Sequence, residues 1–346
     1  MARAAAIVVG GAVAKGAFAA GALAELTRRL QRERTPIRAL VGTSSGALNA
    51  TMVAAGVRAG DPAGAADRLA VLWEQKVDVW HVFEPEPGSW WHGRGLSGTE
   101  RIVELLASEC PQRAQGSAAP EVALRLVVAP LAGTLAAAGG TSFEHVERFA
   151  GADLDSASGR RRIFQAAAAS AAFPFAFQPV PLDGAGPCVD GGLVNNTPIG
   201  EALDQDREVE AIYVISAEPA DLTLAPSAAA ALGGSALLLR LVELLIDERL
   251  TRDLAEARAV NAWLAVLDRL ERQGALSSAA RADIVQALYP GREPGAVRPV
   301  ELVEIRPPAL LAGNAFKGFF RRELRRAYVE QGRAAARARL DEAPGA

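Results

Sequence analysis

The chain has 346 residues, half of them hydrophobic and 22% charged, which supports a large buried core and excludes a disordered protein. Its formal net charge of −3 gives no case for a nucleic-acid partner. Two cysteines, Cys110 and Cys188, cannot make a disulfide framework or a four-thiolate metal site, and no uninterrupted apolar run reaches the ~18 residues of a spanning helix.

Ala4 to Val9 reads as a buried strand. With one Arg and a short apolar run broken by glycines, the N-terminus reads as structure and not as a signal peptide, so the expectation is a cytoplasmic protein with reduced cysteines. The strand runs into Gly10-Gly11-Ala12-Val13-Ala14-Lys15-Gly16 and then a helix over about Ala17 to Arg32. Strand, glycine turn and helix together present backbone N–H groups to an anion. A dinucleotide site fits poorly: Ala12 stands where G-x-G-x-x-G needs its second glycine, and no acidic residue follows a second strand at the usual distance.

The second unit is an apolar run, Ile37 to Val41, then Gly42-Thr43-Ser44-Ser45-Gly46, then a helical run, Ala47 to Val57. The five residues fit G-x-S-x-G, in which a serine sits on a sharp strand-to-helix turn with small residues on both sides. A plain tight turn is the alternative. A helix follows over about Ala65 to Gln75. Val77 to Gly98 is rich in Trp, Pro and Gly and reads as irregular; its Trp80, His81, Trp90, Trp91 and His92 anchor a loop on the core, line an acyl pocket or touch a membrane surface.

Glu100 to Ser108 reads as a helix, Gln112 to Pro120 as an exposed connection and Val122 to Ala129 as a strand. His145, within Phe143 to Glu147, reads as the start of a helix. Phe164 to Ala172 is a helix of small side chains that Pro174 ends. Short strands at Val180-Pro181-Leu182 and Pro187-Cys188-Val189 flank an Asp183-Gly184 turn. Asp190-Gly191-Gly192 then sets a carboxylate at a strand end against a pliable backbone, or is simply a hairpin turn. Glu210 to Ser216 is a strand, and helices fill about 228–288, with Leu237 to Leu250 read as a core helix in preference to a lipid-facing one. Val300 to Ile305 is a last strand, and a basic helix covers about 317–340, its arginines read as a solvated face in preference to a lipid-phosphate patch. Strands alternating with helices give an α/β sandwich around a mostly parallel sheet, in one domain over 1–346 without repeat or linker.

A nucleophilic serine needs a base, usually histidine. The chain has three, His81, His92 and His145, and none lies late in the chain in a glycine turn. Asp190 is therefore the best-placed base. Its ordinary pKa of about 3.9 makes it weak, so it must hydrogen-bond to Ser44 and be shielded from water.

Together the glycine turn with Lys15, the serine turn Gly42 to Gly46, the Asp190 to Gly192 turn and the helix Ala166 to Phe175 resemble the patatin-like phospholipase family over the whole chain. The resemblance implies a three-layer fold and a lipid acyl hydrolase of the phospholipase A or lysophospholipase type, with no histidine, metal or cofactor. Ser44 would be the nucleophile and Asp190 the base. The N–H groups of Gly11, Ala12 and Val13 would form the oxyanion hole, supported by Gly10, Lys15, Gly16, Gly42, Gly46, Gly191 and Gly192. Phospholipid or another acyl ester would be the substrate, with peripheral membrane contact. One departure stands out. The family carries three or more glycines before the basic residue, where this chain has Ala12 and Val13, and a β-branched residue resists positive φ. The alternatives are a catalytically weak lipid-binding or regulatory module of the same fold, and an ordinary Ser-His-Asp esterase.

Overall fold

The computed structural model describes residues 4–84, 95–135, 140–203, 209–221, 223, 227, 230–231, 233–289 and 297–342. The elements in chain order begin β1 (Ala4–Val9), α1 (Gly16–Arg32), β2 (Ile37–Thr43), α2 (Ser45–Ala59), α3 (Pro62–Gln75), α4 (Val79–Val82) and α5 (Glu100–Glu109). Next come β3 (Ala123–Pro130), β4 (Thr134–Leu135), β5 (Thr141–Ser142), β6 (His145–Ala150), α6 (Ala157–Ser170), β7 (Val180–Leu182), β8 (Gly186–Asp190) and α7 (Ile199–Leu203). The chain closes with β9 (Val209–Ile215), α8 (Gly234–Arg272), α9 (Ser278–Leu288), β10 (Glu301–Ile305), α10 (Lys317–Phe320) and α11 (Arg322–Asp341).

Among the described residues the main sheet has the order β10-β9-β1-β2-β3-β8-β7. From β10 to β3 the neighbours are parallel, and β8 and β7 join antiparallel. The far edge of β3 is shared. β6 pairs with Ala123 to Val128 and β8 with Val128 to Pro130. Strand β1 is buried on both faces, as an apolar run at the centre of a parallel sheet should be. Ala5, Ile7 and Val9 face a core formed with α1, α2, α3, α6 and α11, while Ala6 and Val8 face α7 and the middle of α8. The fold is thus a mixed, mostly parallel sheet between two helical layers. Gly21 and Gly332 let α1 and α11 cross backbone to backbone, since a Cβ on either would lie 2.0 Å from a carbonyl oxygen of the other helix.

Several expectations needed correction. His145 begins a strand and not a helix, because the exposed edge of β3 takes up its backbone groups, a demand set by a distant segment. The stretch after Val77 holds one helical turn, α4, which Asp78 caps by accepting from the N–H groups of Trp80 and His81. The small-residue helix starts at Ala157, where Ser156 caps it. The basic terminal helix breaks at Arg321, whose backbone is extended. Trp90, Trp91 and His92 lie outside the described residues, as do most side chains of Leu237 to Leu250. No described helix is long and apolar enough to cross a membrane.

Candidate active site

Strand β2 ends at Thr43, and α2 begins at Ser45. Between them Ser44 has φ 56° and ψ −131°, a conformation that costs an L-residue of order ~1–3 kcal/mol. Packing enforces it. A Cβ on Gly46 would lie 2.1 Å from the Val9 carbonyl oxygen, and one on Gly42 would lie 2.6 Å from the Gly46 carbonyl oxygen. Glycine is needed at these two positions for closeness, since neither has a positive φ. The Ser44 N–H donates to Ser170 Oγ at 2.9 Å, and Ser170 donates onward to the Val127 carbonyl at 2.6 Å. The turn is therefore tied to both α6 and β3. The N-terminus of the 15-residue helix α2 lies directly behind the serine and favours negative charge there.

Asp190 ends β8, and its chain runs on into a 3-10 turn over Gly191–Leu193, so the Asp-Gly pair is not a hairpin. Ser44 Oγ donates to Asp190 Oδ2 at 2.6 Å, and the Gly192 N–H donates to Oδ1 at 2.7 Å. The Asp190 N–H donates to the Ala172 carbonyl, which ties the carboxylate to the end of α6. Gly191 passes so close to β3 that a Cβ would lie 2.1 Å from the Val127 carbonyl oxygen. Asp190 is buried, and this desolvation pushes its pKa up to about 7 against the opposing pull of the Ser44 and Gly192 hydrogen bonds.

The glycine turn faces this pair. A Cβ on Gly11 would lie 2.3 Å from Ser44 Cβ. The Gly10 N–H donates to the Ile215 carbonyl and continues the ladder with β9. Asn196 grips Gly11 by both backbone groups. Its Oδ1 accepts from the Gly11 N–H at 2.9 Å, and its Nδ2 donates to the Gly11 carbonyl at 3.0 Å. The Ala12 N–H donates to Ser45 Oγ at 3.0 Å. Among the described residues the Val13 N–H meets no acceptor, and Val13 adopts φ 53° despite its β-branch. Of the three expected oxyanion donors, two are thus engaged within the chain and one is open. Lys15 is buried behind the turn with Nζ 3.7 Å from Glu218. The Gly16 carbonyl accepts from Asn49 Nδ2, and Asn49 Oδ1 accepts from Trp73 Nε1.

Ser44 and Asp190 open onto a narrow cleft of about 50 Å³ whose walls are apolar, among them Leu48, Trp73, Val77, Ile102, Phe173 and Phe319. Neither described histidine reaches it by a hydrogen bond: His81 pairs with Asp78 and His145 with Glu147. The sequence carries no local mark of the contacts that Ser45, Ser170 and Asn196 make. Ser170 lies in a run of small residues and Asn196 in a polar stretch, and the burial of both is set by the fold.

A family model described as patatin-like phospholipase matches residues 7–203, more than half of the chain and a span that includes Ser44 and Asp190. No curated protein sequence matches the chain. Among solved structures, that of VipD from Legionella pneumophila is similar at 15% identity and a TM-score of 0.40, covering 99% of this chain and 67% of that one.

Proposed function

The chain belongs to the patatin-like phospholipase family, and from that premise we propose that it is a serine lipid acyl hydrolase that works with Ser44 and Asp190 alone. The observation that carries this reading is the 2.6 Å hydrogen bond from Ser44 Oγ to a buried carboxylate, the two residues together lining an apolar cleft. A carboxylate with an ordinary pKa would be too weak a base. Burial raises that of Asp190 to about 7, so it is matched to proton transfer near neutral pH.

In the proposed reaction Asp190 takes the Ser44 proton as Oγ attacks the ester carbonyl carbon. The carbonyl oxygen becomes an oxyanion. Collapse of the tetrahedral adduct breaks the bond to the alcohol oxygen, which leaves with the proton from Asp190, and the acyl group stays on Ser44. Asp190 then deprotonates a water that attacks the acyl-enzyme, releases the carboxylic acid and restores the Ser44 hydroxyl. The open Val13 N–H is the ready oxyanion donor. The Ala12 N–H becomes a second when the Ser45 hydroxyl turns away, and Gly11 is held by Asn196 to fix the turn. One such donor is worth about 10²–10³ in rate.

The cleft takes the acyl chain. Burying one more methylene contributes about 0.8 kcal/mol, so kcat/KM should rise roughly threefold to fourfold per methylene in a series of soluble p-nitrophenyl esters until the cleft is full. A substrate of this class also implies transient contact with a lipid surface. The test is intact-mass detection of fluorophosphonate labelling. One adduct on the native chain and none on Ser44→Ala supports the reading. No adduct on the folded native chain overturns it in favour of a lipid-binding module.

A further inference from the structure

Four residues of the cleft wall, Phe173, Phe177, Phe316 and Phe319, belong to an interlocked set of rings that Phe83 backs. Phe83 stacks on Phe177 at 4.8 Å and meets Phe319 edge-on at 5.4 Å, and Phe316 bridges Phe173 and Phe319. Two neighbours of this wall face water instead. Phe175, between Phe173 and Phe177, is 74% exposed, and Phe320, next to Phe319, is 70% exposed. Trp80 is also exposed, two residues before Val82 of the cleft wall, and exposed Leu96 donates its N–H to the Phe175 carbonyl.

Phe175 is the telling residue. Its φ is 70°, which a bulky side chain rarely adopts. Such strain persists where surrounding contacts over-determine it, yet here the ring has few contacts within the chain. The loop is nevertheless held, since the Ser97 N–H donates to the Ala176 carbonyl and the Phe177 N–H to the Phe173 carbonyl. A fixed backbone thus presents an apolar ring to solvent beside the cleft. Around Phe320 stand the exposed cations Lys317, Arg321 and Arg322, with no carboxylate partner among the described residues and Glu323 as the acidic neighbour in sequence.

We propose that Phe175 and Phe320, with Trp80 and Leu96, form the apolar centre of a surface that docks on an anionic lipid bilayer, with Lys317, Arg321 and Arg322 meeting the headgroups. This inference rests on the lipid acyl hydrolase reading for its partner. Charge complementarity and continuity with the apolar cleft favour a bilayer over a protein: protruding rings enter the acyl boundary while the adjacent cations stay at headgroup level.

The test is co-sedimentation of the full chain, in a Ser44→Ala background that leaves lipid intact, with vesicles of phosphatidylglycerol and phosphatidylcholine or of phosphatidylcholine alone. The native surface should bind the anionic vesicles more tightly, and added salt should weaken this. Phe175→Asn with Phe320→Ser should lower the partition coefficient roughly a hundredfold, about tenfold for each ring. Lys317→Gln, Arg321→Gln and Arg322→Gln should each lower it roughly fivefold on anionic vesicles and leave neutral ones unaffected. Asn tolerates the left-handed region, so Phe175→Asn should fold with an unchanged or higher thermal midpoint. Equal vesicle binding with and without the two rings overturns the proposal. So does a native dimer that Phe175→Asn/Phe320→Ser dissociates, because a second copy would then cover the rings. Soluble fluorophosphonate labelling of Ser44, run without vesicles on an otherwise native chain, should be the same with and without the ring substitutions. Loss of labelling in the ring variant overturns the separation of docking from chemistry. Failure of the native chain to label overturns the hydrolase reading alone and leaves the vesicle result to stand or fall separately.

Discussion

Two turns in this molecule share one layout. Each follows a parallel central strand, β1 or β2, and each leads into a helix on the same side of the sheet. Each also carries a non-glycine residue at nearly the same positive φ, 53° at Val13 and 56° at Ser44. They differ in what the strain achieves. At Ser44 it lifts a hydroxyl onto Asp190, and hydrogen bonds through Ser170 to β3 hold it there. At Val13, a residue of the cleft wall, the backbone N–H meets no acceptor among the described residues, while the two residues before it, Gly11 and Ala12, are pinned by Asn196 and Ser45. Under the proposed mechanism, a strained residue would serve through its side chain in one turn and through its backbone in the other.

The sharpest way to break this comparison is to remove the side-chain chemistry. Ser44→Ala should abolish fluorophosphonate labelling, and Asp190→Asn should slow it by about 10⁴-fold, as for a base that acts as a unit with its nucleophile. Next comes the clamp. Asn196→Ala leaves both backbone groups of Gly11 buried without partners, so it should destabilise the chain by about 2–4 kcal/mol in urea unfolding and slow labelling as well. Val13→Gly should act in the opposite direction. It relieves strain of ~1–3 kcal/mol at the cost of about 0.5–1 kcal/mol of chain entropy, so the urea midpoint should rise. A fall in stability would mean that the Val13 turn is not strained. The smallest effect is expected from Ser45→Ala, which frees the Ala12 N–H and should raise the labelling rate a few-fold. A slower rate would show that the Ser45 hydroxyl supports the turn more than it blocks the donor.

Asp190 also links the site to stability. Its folded pKa, about 7, lies above its ordinary unfolded value of about 3.9, so the native state binds the proton more tightly. That contribution is fully present below about pH 4 and is lost as pH rises through about 7. Chemical denaturation should therefore show native stability falling relative to Asp190→Asn across this window. A parallel pair of curves would mean that burial does not perturb the carboxyl.

Much of this was legible in the chain. The apolar runs of β1 and β2, the small residues at Gly42 and Gly46, and the Asp190 turn are local signals, and they single out Ser44 and Asp190, which the fold brings within hydrogen-bond distance. What escaped is non-local. Asn196 contacts Gly11 across 185 positions and Ser170 contacts Ser44 across 126, and neither polar side chain carries any local mark of its partner. His145 was misread for the same reason, since only the free edge of β3 makes its segment a strand. At the turn where the resemblance leads one to expect a further glycine, Val13 takes a positive φ of 53° despite its β-branch, which its residue type does not foretell.

The most direct measurement is the pH dependence of Ser44 labelling by a fluorophosphonate, in the native chain, in Asp190→Asn and in the triple variant His81→Gln/His92→Gln/His145→Gln. The native rate should rise with pH through an acid limb near 7, as a buried carboxyl is ionised and becomes a base. The histidine variant should keep that limb, and Asp190→Asn should lose it. A limb that survives in Asp190→Asn and disappears with the histidines would contradict the two-residue mechanism and restore a histidine as the base.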